Sequence, residues 1–345
     1  MITQDYEYSV VGCAFDIAPI LTHVALVSCS DTDVLSIPEC LPYTGEWGNN
    51  ETVSFLEESN HLLPKGIHVI FLSIVERKFY IVNDSLPIEE IYNLWNHGSF
   101  NKVVVGMAPY GGIAIWLNGT KNSVLVKWLH GSEINVDMKS FIPDNPDVNL
   151  EQLSSFYLNS VVEAKSYFEE HGIPPRNLFE GYMQQFIYRY LILFEHWDED
   201  KRSWQKYNEE EIKPQFYYTE EALFDGTHDK LHEDRLMNYH EAGKPKKLAV
   251  LWYVGKSEFT AYFWFEDEEI RAVFDRFYGA HPETKTDFMI RIDAEQNKYE
   301  LALYRYGLKE PQVISESAYQ LLVFKNKFEY YRSENYNQPK GAWIW

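Results

Sequence analysis

The chain has three cysteines, no lysine or arginine before Lys65, no apolar run of bilayer length and none of the common catalytic signatures. Each absence removes a class of function. Cys13, Cys29 and Cys40 are odd in number, show no CxxC spacing and have no matching histidine pair, which argues against a disulfide framework and against a structural zinc site. Three inert thiols suit a reducing compartment, so the expectation is cytoplasmic, or periplasmic if a secretion signal has been removed. The stretch Ala25-Leu-Val-Ser-Cys29 has the shape of a lipoprotein cleavage site, and Val10-Val-Gly-Cys13 repeats it. A secretory signal needs a basic start and an unbroken apolar core. Here Asp5 and Glu7 stand where positive charge belongs, and Asp16, Pro19 and His23 interrupt the run. Residues 8–29 therefore read as two buried strands around a proline break, without an anchor. No stretch reaches the roughly 20 apolar residues that cross a bilayer, so direct membrane insertion is not expected.

Catalytic motifs are equally scarce. No GxSxG elbow occurs, and no cysteine has the context of a nucleophile. Gly106-Met-Ala-Pro-Tyr-Gly-Gly112 has the flexible ends of a phosphate loop, but no Lys-Ser/Thr follows and a hairpin is expected there. His228 and His232 lie four apart beside Glu233, with His240 further on; without an HExxH order they read as a solvated loop. Glu266-Asp-Glu-Glu269 is explained by a helix start. No enzyme, metal or cofactor is expected.

What the chain has is acid and aromatic surface. Its 345 residues carry 52 acids against 31 lysines and arginines, a net charge of -21. Nucleic acid and anionic membranes both demand a basic face and are poor partners for it. A basic protein is the natural complement, although charge by itself supplies solubility and steering rather than identity. Aromatics reach 16% and gather in runs such as 259–265 (FTAYFWF) and 328–333 (FEYYRS), a composition that favours strands.

The middle of the chain reads as helical. Leu150, Leu153, Tyr157, Val161, Ala164 and Phe168 recur at helical spacing up to Gly172. Pro174-Pro175 then opens a second stripe of Leu178, Phe179, Tyr182, Met183, Phe186, Ile187, Tyr190 and Leu191. Residues 195–211 and 225–247 are polar and charge-dense, the best linker candidates. On either side, 68–95 and 248–278 share a strand, turn, strand and acidic helix start, each followed by a hairpin at 102–119 and 287–305. The expected fold class is α+β: two antiparallel-sheet ββαββ modules, a possible internal duplication, joined by a central helical hairpin. The expected domains are a β-rich module at 1–148, a helical hairpin with acidic linker at 149–211, and a second β-rich module at 212–345.

Trp197 and Trp204 flank Asp198, Glu199 and Asp200, while Glu209, Glu210 and Glu211 lead to Tyr217 and Tyr218. Aromatic anchors among acids suit an interface with a basic pocket, and these residues, with Tyr110, form the candidate partner-binding set. A solvated linker whose aromatics tuck onto the core accounts for the same pattern.

Residues 63–80 (LPKGIHVIFLSIVERKFY), Leu86-Pro87 and residues 103–119 (VVVGMAPYGGIAIWLNG) resemble a bacterial family of unknown function. The resemblance rests on Pro-Lys-Gly, Ser-x-x-Glu-x-Lys-Phe-Tyr and Gly-Gly-Ile-Ala-x-Trp-Leu, over about residues 45–120. Its members are often lipoproteins encoded beside type VI secretion spike and effector genes, which implies immunity or accessory roles; it supplies no catalytic residues. The first expectation is a non-enzymatic immunity protein that neutralises a basic effector toxin. An effector-loading adaptor or chaperone and a small-ligand or metal-binding protein are the alternatives.

Overall fold

Alternation of inward and outward side chains, the signature of strands, runs through most of the chain. A computed structural model describes residues 4–15, 17–37, 42–43, 47–48, 59–145, 147–206, 214–231, 236–279, 281–293 and 298–337. Strands take up 51% and helices 21% of the described residues. The chain divides into two units, residues 1–183 with 225–227, and residues 184–224 with 228–345.

The first unit contains β1 (Tyr6–Ala14), β2 (Ile20–Ser28), β3 (Val34–Ser36), β4 (Pro42–Tyr43), β5 (Ser59–His61), β6 (Gly66–Ser73), β7 (Lys78–Ser85), α1 (Ile88–His97), β8 (Phe100–Ala108), β9 (Gly112–Gly119), β10 (Ser123–His130), β11 (Ser132–Ile134), α2 (Met138–Phe141), α3 (Leu150–Ser160), α4 (Val162–His171) and α5 (Arg176–Met183). One run of paired strands is β10-β9-β8-β1-β5, in which β1 and β8 are parallel. A second is β11-β7-β6-β2-β3, wholly antiparallel. Val10, Val103, Ile115 and Leu117 from the first share one core with Ile20, Val27, Val69 and Phe71 from the second. Helix α1 carries the chain from one sheet to the other and buries Ile91 and Trp95 in that core. The stretch Ala25–Cys29 is the last four residues of β2 and the bend residue after it, with Ala25, Val27 and Cys29 facing inward.

The second unit follows the same plan with β12 (Phe186–Asp198), β13 (Ser203–Lys206), β14 (Gln215–Leu223), β15 (His228–Leu231), β16 (His240–Ala242), β17 (Pro245–Val254), β18 (Ser257–Phe265), α6 (Asp267–Tyr278), β19 (Thr286–Asp293), β20 (Lys298–Tyr304), β21 (Gln312–Val313), β22 (Tyr319–Lys325) and β23 (Phe328–Arg332). Its sheets run β13-β12-β19-β20-β21, with β12 and β19 parallel, and β23-β22-β18-β17-β14-β15. Tyr188, Tyr190, Phe288, Ile290 and Leu301 face Val250, Trp252, Phe263 and Val323 across a core completed by Ile270, Phe274 and Tyr278 of α6.

The expected α+β fold class is thereby corrected. The protein is mostly β, built on large sheets, and no central helical hairpin joins two ββαββ modules. The strands before and after α1 lie in different sheets, as do those around α6, and the strand opening each unit enters in parallel. The second expected helix is only half helix: Leu178, Phe179, Tyr182 and Met183 lie on α5, whereas Phe186, Ile187, Tyr190 and Leu191 lie on β12, where Phe186, Tyr188 and Tyr190 point inward while Ile187 and Arg189 alternate with them. A spacing of three or four at Phe186, Ile187, Tyr190 and Leu191 fits either period; aromatic and β-branched packing on a pleated surface decides for the strand. The first half breaks at Val161 (φ -110°, ψ 107°), so α3 and α4 are separate helices. An Asn149/Gln152 capping box starts α3, and Gly172 at φ 75° ends α4.

Candidate partner-binding surfaces

Tyr110 sits in the first unit, in the tight turn between β8 and β9. Its backbone lies at φ 61°, ψ 23°, a conformation that costs a non-glycine residue energy and persists only when neighbours hold it. Glu76 does so: one carboxylate oxygen accepts the Tyr110 N–H at 2.7 Å and the other accepts the Tyr80 hydroxyl at 2.8 Å. Burial, then that hydrogen bond, push the Tyr80 phenol up. The Tyr110 hydroxyl donates to the Pro174 carbonyl at 3.0 Å. Gly111 beside it takes φ 79°, where a Cβ would lie 2.8 Å from the Gly131 carbonyl oxygen. Trp116, fully buried on β9, donates its indole N–H to the Asp225 carbonyl at 3.0 Å. The glycine-rich stretch at 106–112 is thus a strand-to-strand turn, geometry with no helix end for a phosphate.

In the second unit Trp197 and Trp204 are opposite partners across the β12–β13 hairpin, their rings 5.4 Å apart and inclined at 64°. The Lys298 ammonium lies 4.6 Å from the centre of the Trp197 ring. Both indole N–H groups are buried and have no hydrogen-bond partner among the described residues. Along the same hairpin Glu195 meets Arg291 at 3.4 Å, and Arg291 bonds Glu300 at 2.7 Å. Asp198 closes the turn by accepting the Lys201 N–H at 2.9 Å and its ammonium at 2.7 Å. Those bonds hold the Asp198 carboxyl below the usual carboxylate range. Glu199 and Asp200 are exposed at the tip. Glu209, Glu210 and Glu211 lie outside the described residues.

Tyr217 and Tyr218 are on β14, in the other sheet of this unit. Tyr217 is 58% exposed. Tyr218 is half-buried, with the Lys230 ammonium 3.6 Å from its ring centre, and burial followed by the charge of Glu220 pushes its phenol up to about 12. Burial also raises the Glu220 carboxyl, against the pull of Lys230 at 3.6 Å.

The structure therefore groups Trp197, Asp198, Glu199, Asp200 and Trp204 on one hairpin, places Tyr217 and Tyr218 on a different sheet, and puts Tyr110 in the first unit. It adds residues that sequence reasoning passed over. Register aligns Tyr218, Leu251, Thr260 and Phe324 in one row across β14, β17, β18 and β22. With Glu258, Tyr262 and Lys327 they line a groove of about 400 Å³ on the sheet face. The signal was present in FTAYFWF: Phe259, Ala261, Phe263 and Phe265 face the core, so Tyr262 and Trp264 must decorate the opposite face. Glu76 lies in the Ser-x-x-Glu-x-Lys-Phe-Tyr motif, where sequence alone gave it no partner.

Among the described residues no cluster of three His, Cys, Asp or Glu side chains is placed to hold a metal ion. His228 is on β15, while His232 and Glu233 lie outside the described residues. No described helix is long and apolar enough to cross a membrane.

Residues 42–175 match the family model described as protein of unknown function (DUF2931). The matched segment contains Glu76, Tyr80, Tyr110 and Trp116, so the carboxylate and the turn it braces both fall within it. No curated protein and no solved structure matches the chain.

Proposed function

We propose that this chain is a non-enzymatic immunity protein that binds and neutralises a secreted, type VI-like antibacterial effector toxin. The partner surface it meets is basic. The observation that carries this reading is the β12–β13 hairpin: the Trp197/Trp204 pair stands behind an acidic turn in which Glu199 and Asp200 are exposed and the bonds from Lys201 lower the Asp198 carboxyl. Acids of this kind accelerate encounter with a basic surface, and aromatic side chains at the centre of a contact slow release. The net charge of -21 adds long-range attraction of the same sign.

The reading is tested by association kinetics between the purified chain and a candidate basic effector toxin. The association rate should fall steeply between 50 and 300 mM salt, on the order of tenfold, and Glu199→Gln with Asp200→Asn should flatten that dependence. An association rate indifferent to salt removes the steering argument. A complex in which the toxin stays active favours an effector-loading adaptor instead.

A further inference from the structure

The outer face of the β14-β17-β18-β22 sheet carries a groove that the proposed function does not use. Its floor is Leu251 and Thr260, neighbours on β17 and β18; Tyr218 and Phe324 close the two ends of that row, and Tyr262 packs edge-on against Phe324 with ring centres 6.0 Å apart. Glu258 and Lys327 stand at one mouth, where Glu258 also accepts the Tyr253 hydroxyl at 2.9 Å.

Three properties limit what can lie there. The groove is on the face of a sheet whose four strands already pair with one another, so a ligand cannot add as a further strand and must be held by side chains. Its walls are aromatic rings, which suit flat, rigid apolar groups. Its polar rim is rich in donors: the hydroxyls of Thr260 and Tyr262 and the Lys327 ammonium. A polyproline helix presents ring surfaces, carbonyl acceptors and few N–H groups, and little entropy is lost on fixing it. The Glu258 carboxylate in its lining, on a strongly acidic chain, selects a cationic flank.

We propose that this groove binds a proline-rich segment bearing an arginine or lysine, carried by a partner protein. This deepens the proposed function by giving the partner a second, sequence-readable point of attachment, and rests on it only for the identity of that partner.

The test titrates the full chain with a ten-residue peptide of alternating proline and alanine ending in two arginines, followed by backbone amide NMR shifts. Saturable shifts clustered on Leu251, Thr260, Tyr262 and Phe324 are expected. Tyr262→Ala and Phe324→Ala should each weaken binding about tenfold, and Glu258→Gln about threefold for the arginine peptide only. Trp204→Ala should leave it unchanged, which separates this groove from the hairpin. Thr260→Arg, which fills the floor from an outward-facing position, serves if an aromatic variant unfolds. Equal binding of a peptide with alanine at every proline, or no saturable binding of any peptide, overturns the proposal. Toxin neutralisation by a chain that ignores the peptide would sink the groove and leave the immunity reading standing; peptide binding without neutralisation would do the reverse.

Discussion

Glu76 holds Tyr110 in a left-handed backbone conformation by accepting its N–H at 2.7 Å, while the same carboxylate accepts the Tyr80 hydroxyl. Two elements distant in sequence, the β6–β7 turn and the β8–β9 turn, are thereby fixed by one side chain. Removing it leaves two donors without an acceptor. Glu76→Ala is expected to lower the unfolding free energy by about 2 to 4 kcal/mol, and Glu76→Gln, which keeps one acceptor oxygen, by about half as much. Urea denaturation of the two variants checks the ordering; equal stability of Glu76→Ala and the parent would contradict it.

Gly106 faces the indoles of Trp116 and Trp47. A Cβ there would lie 2.4 Å from a Trp116 ring carbon and 2.8 Å from one of Trp47. Trp116 is fully buried and Trp47 stacks on Phe15 with ring centres 4.0 Å apart, so neither ring has room to withdraw. Gly106→Ala should therefore cost about 1 to 3 kcal/mol through overpacking. A thermal melt that does not shift would show that the rings move freely.

The sequence announced some of this and hid the rest for physical reasons. Strand composition, the turn at 106–112 and the glycine stop at Gly172 could be read because each depends on local residues. The sheets could not. Parallel pairing of β1 with β8 and of β12 with β19 joins segments about a hundred residues apart, and no local pattern marks it. Nor could periodicity alone tell β12 from a helix while both its faces were apolar enough to satisfy either spacing. The acidic tryptophan turn was legible as a cluster because its residues are contiguous. The groove was not, since its lining comes from four strands brought into register by folding.

Lys244 has no exposed side-chain surface, with Gln184 at 3.3 Å, Asp275 at 3.7 Å and the Phe186 ring at 4.8 Å. Burial lowers its pKa, partly countered by Asp275. A lysine pKa lower in the folded state means that the unfolded chain holds more protons between the two values, so this group's contribution to stability rises with pH across that window. The difference in unfolding free energy between the parent and Lys244→Met should thus grow in favour of the parent from neutral pH toward pH 10. A difference independent of pH would mean that the ammonium is not penalised by its burial.

Cys13 is fully buried, and burial pushes its thiol up to about 12. The thiolate is the reactive form, so at pH 8 Cys13 should resist alkylation in the native chain and react only after denaturant is added. Mass spectrometry of iodoacetamide-treated protein reads this directly. Rapid native labelling at Cys13 would contradict the packing of β1.

The central claim is that the chain silences a toxin by binding it. Co-expression with a candidate basic effector toxin, in a sensitive host, tests that most directly when growth and the isolated complex are read together. The account predicts restored growth and a stoichiometric complex without toxin activity, and loss of both when Trp197 and Trp204 are replaced by alanine in a chain that still folds. Unrelieved toxicity beside abundant folded protein, or a complex whose toxin remains active, would contradict it.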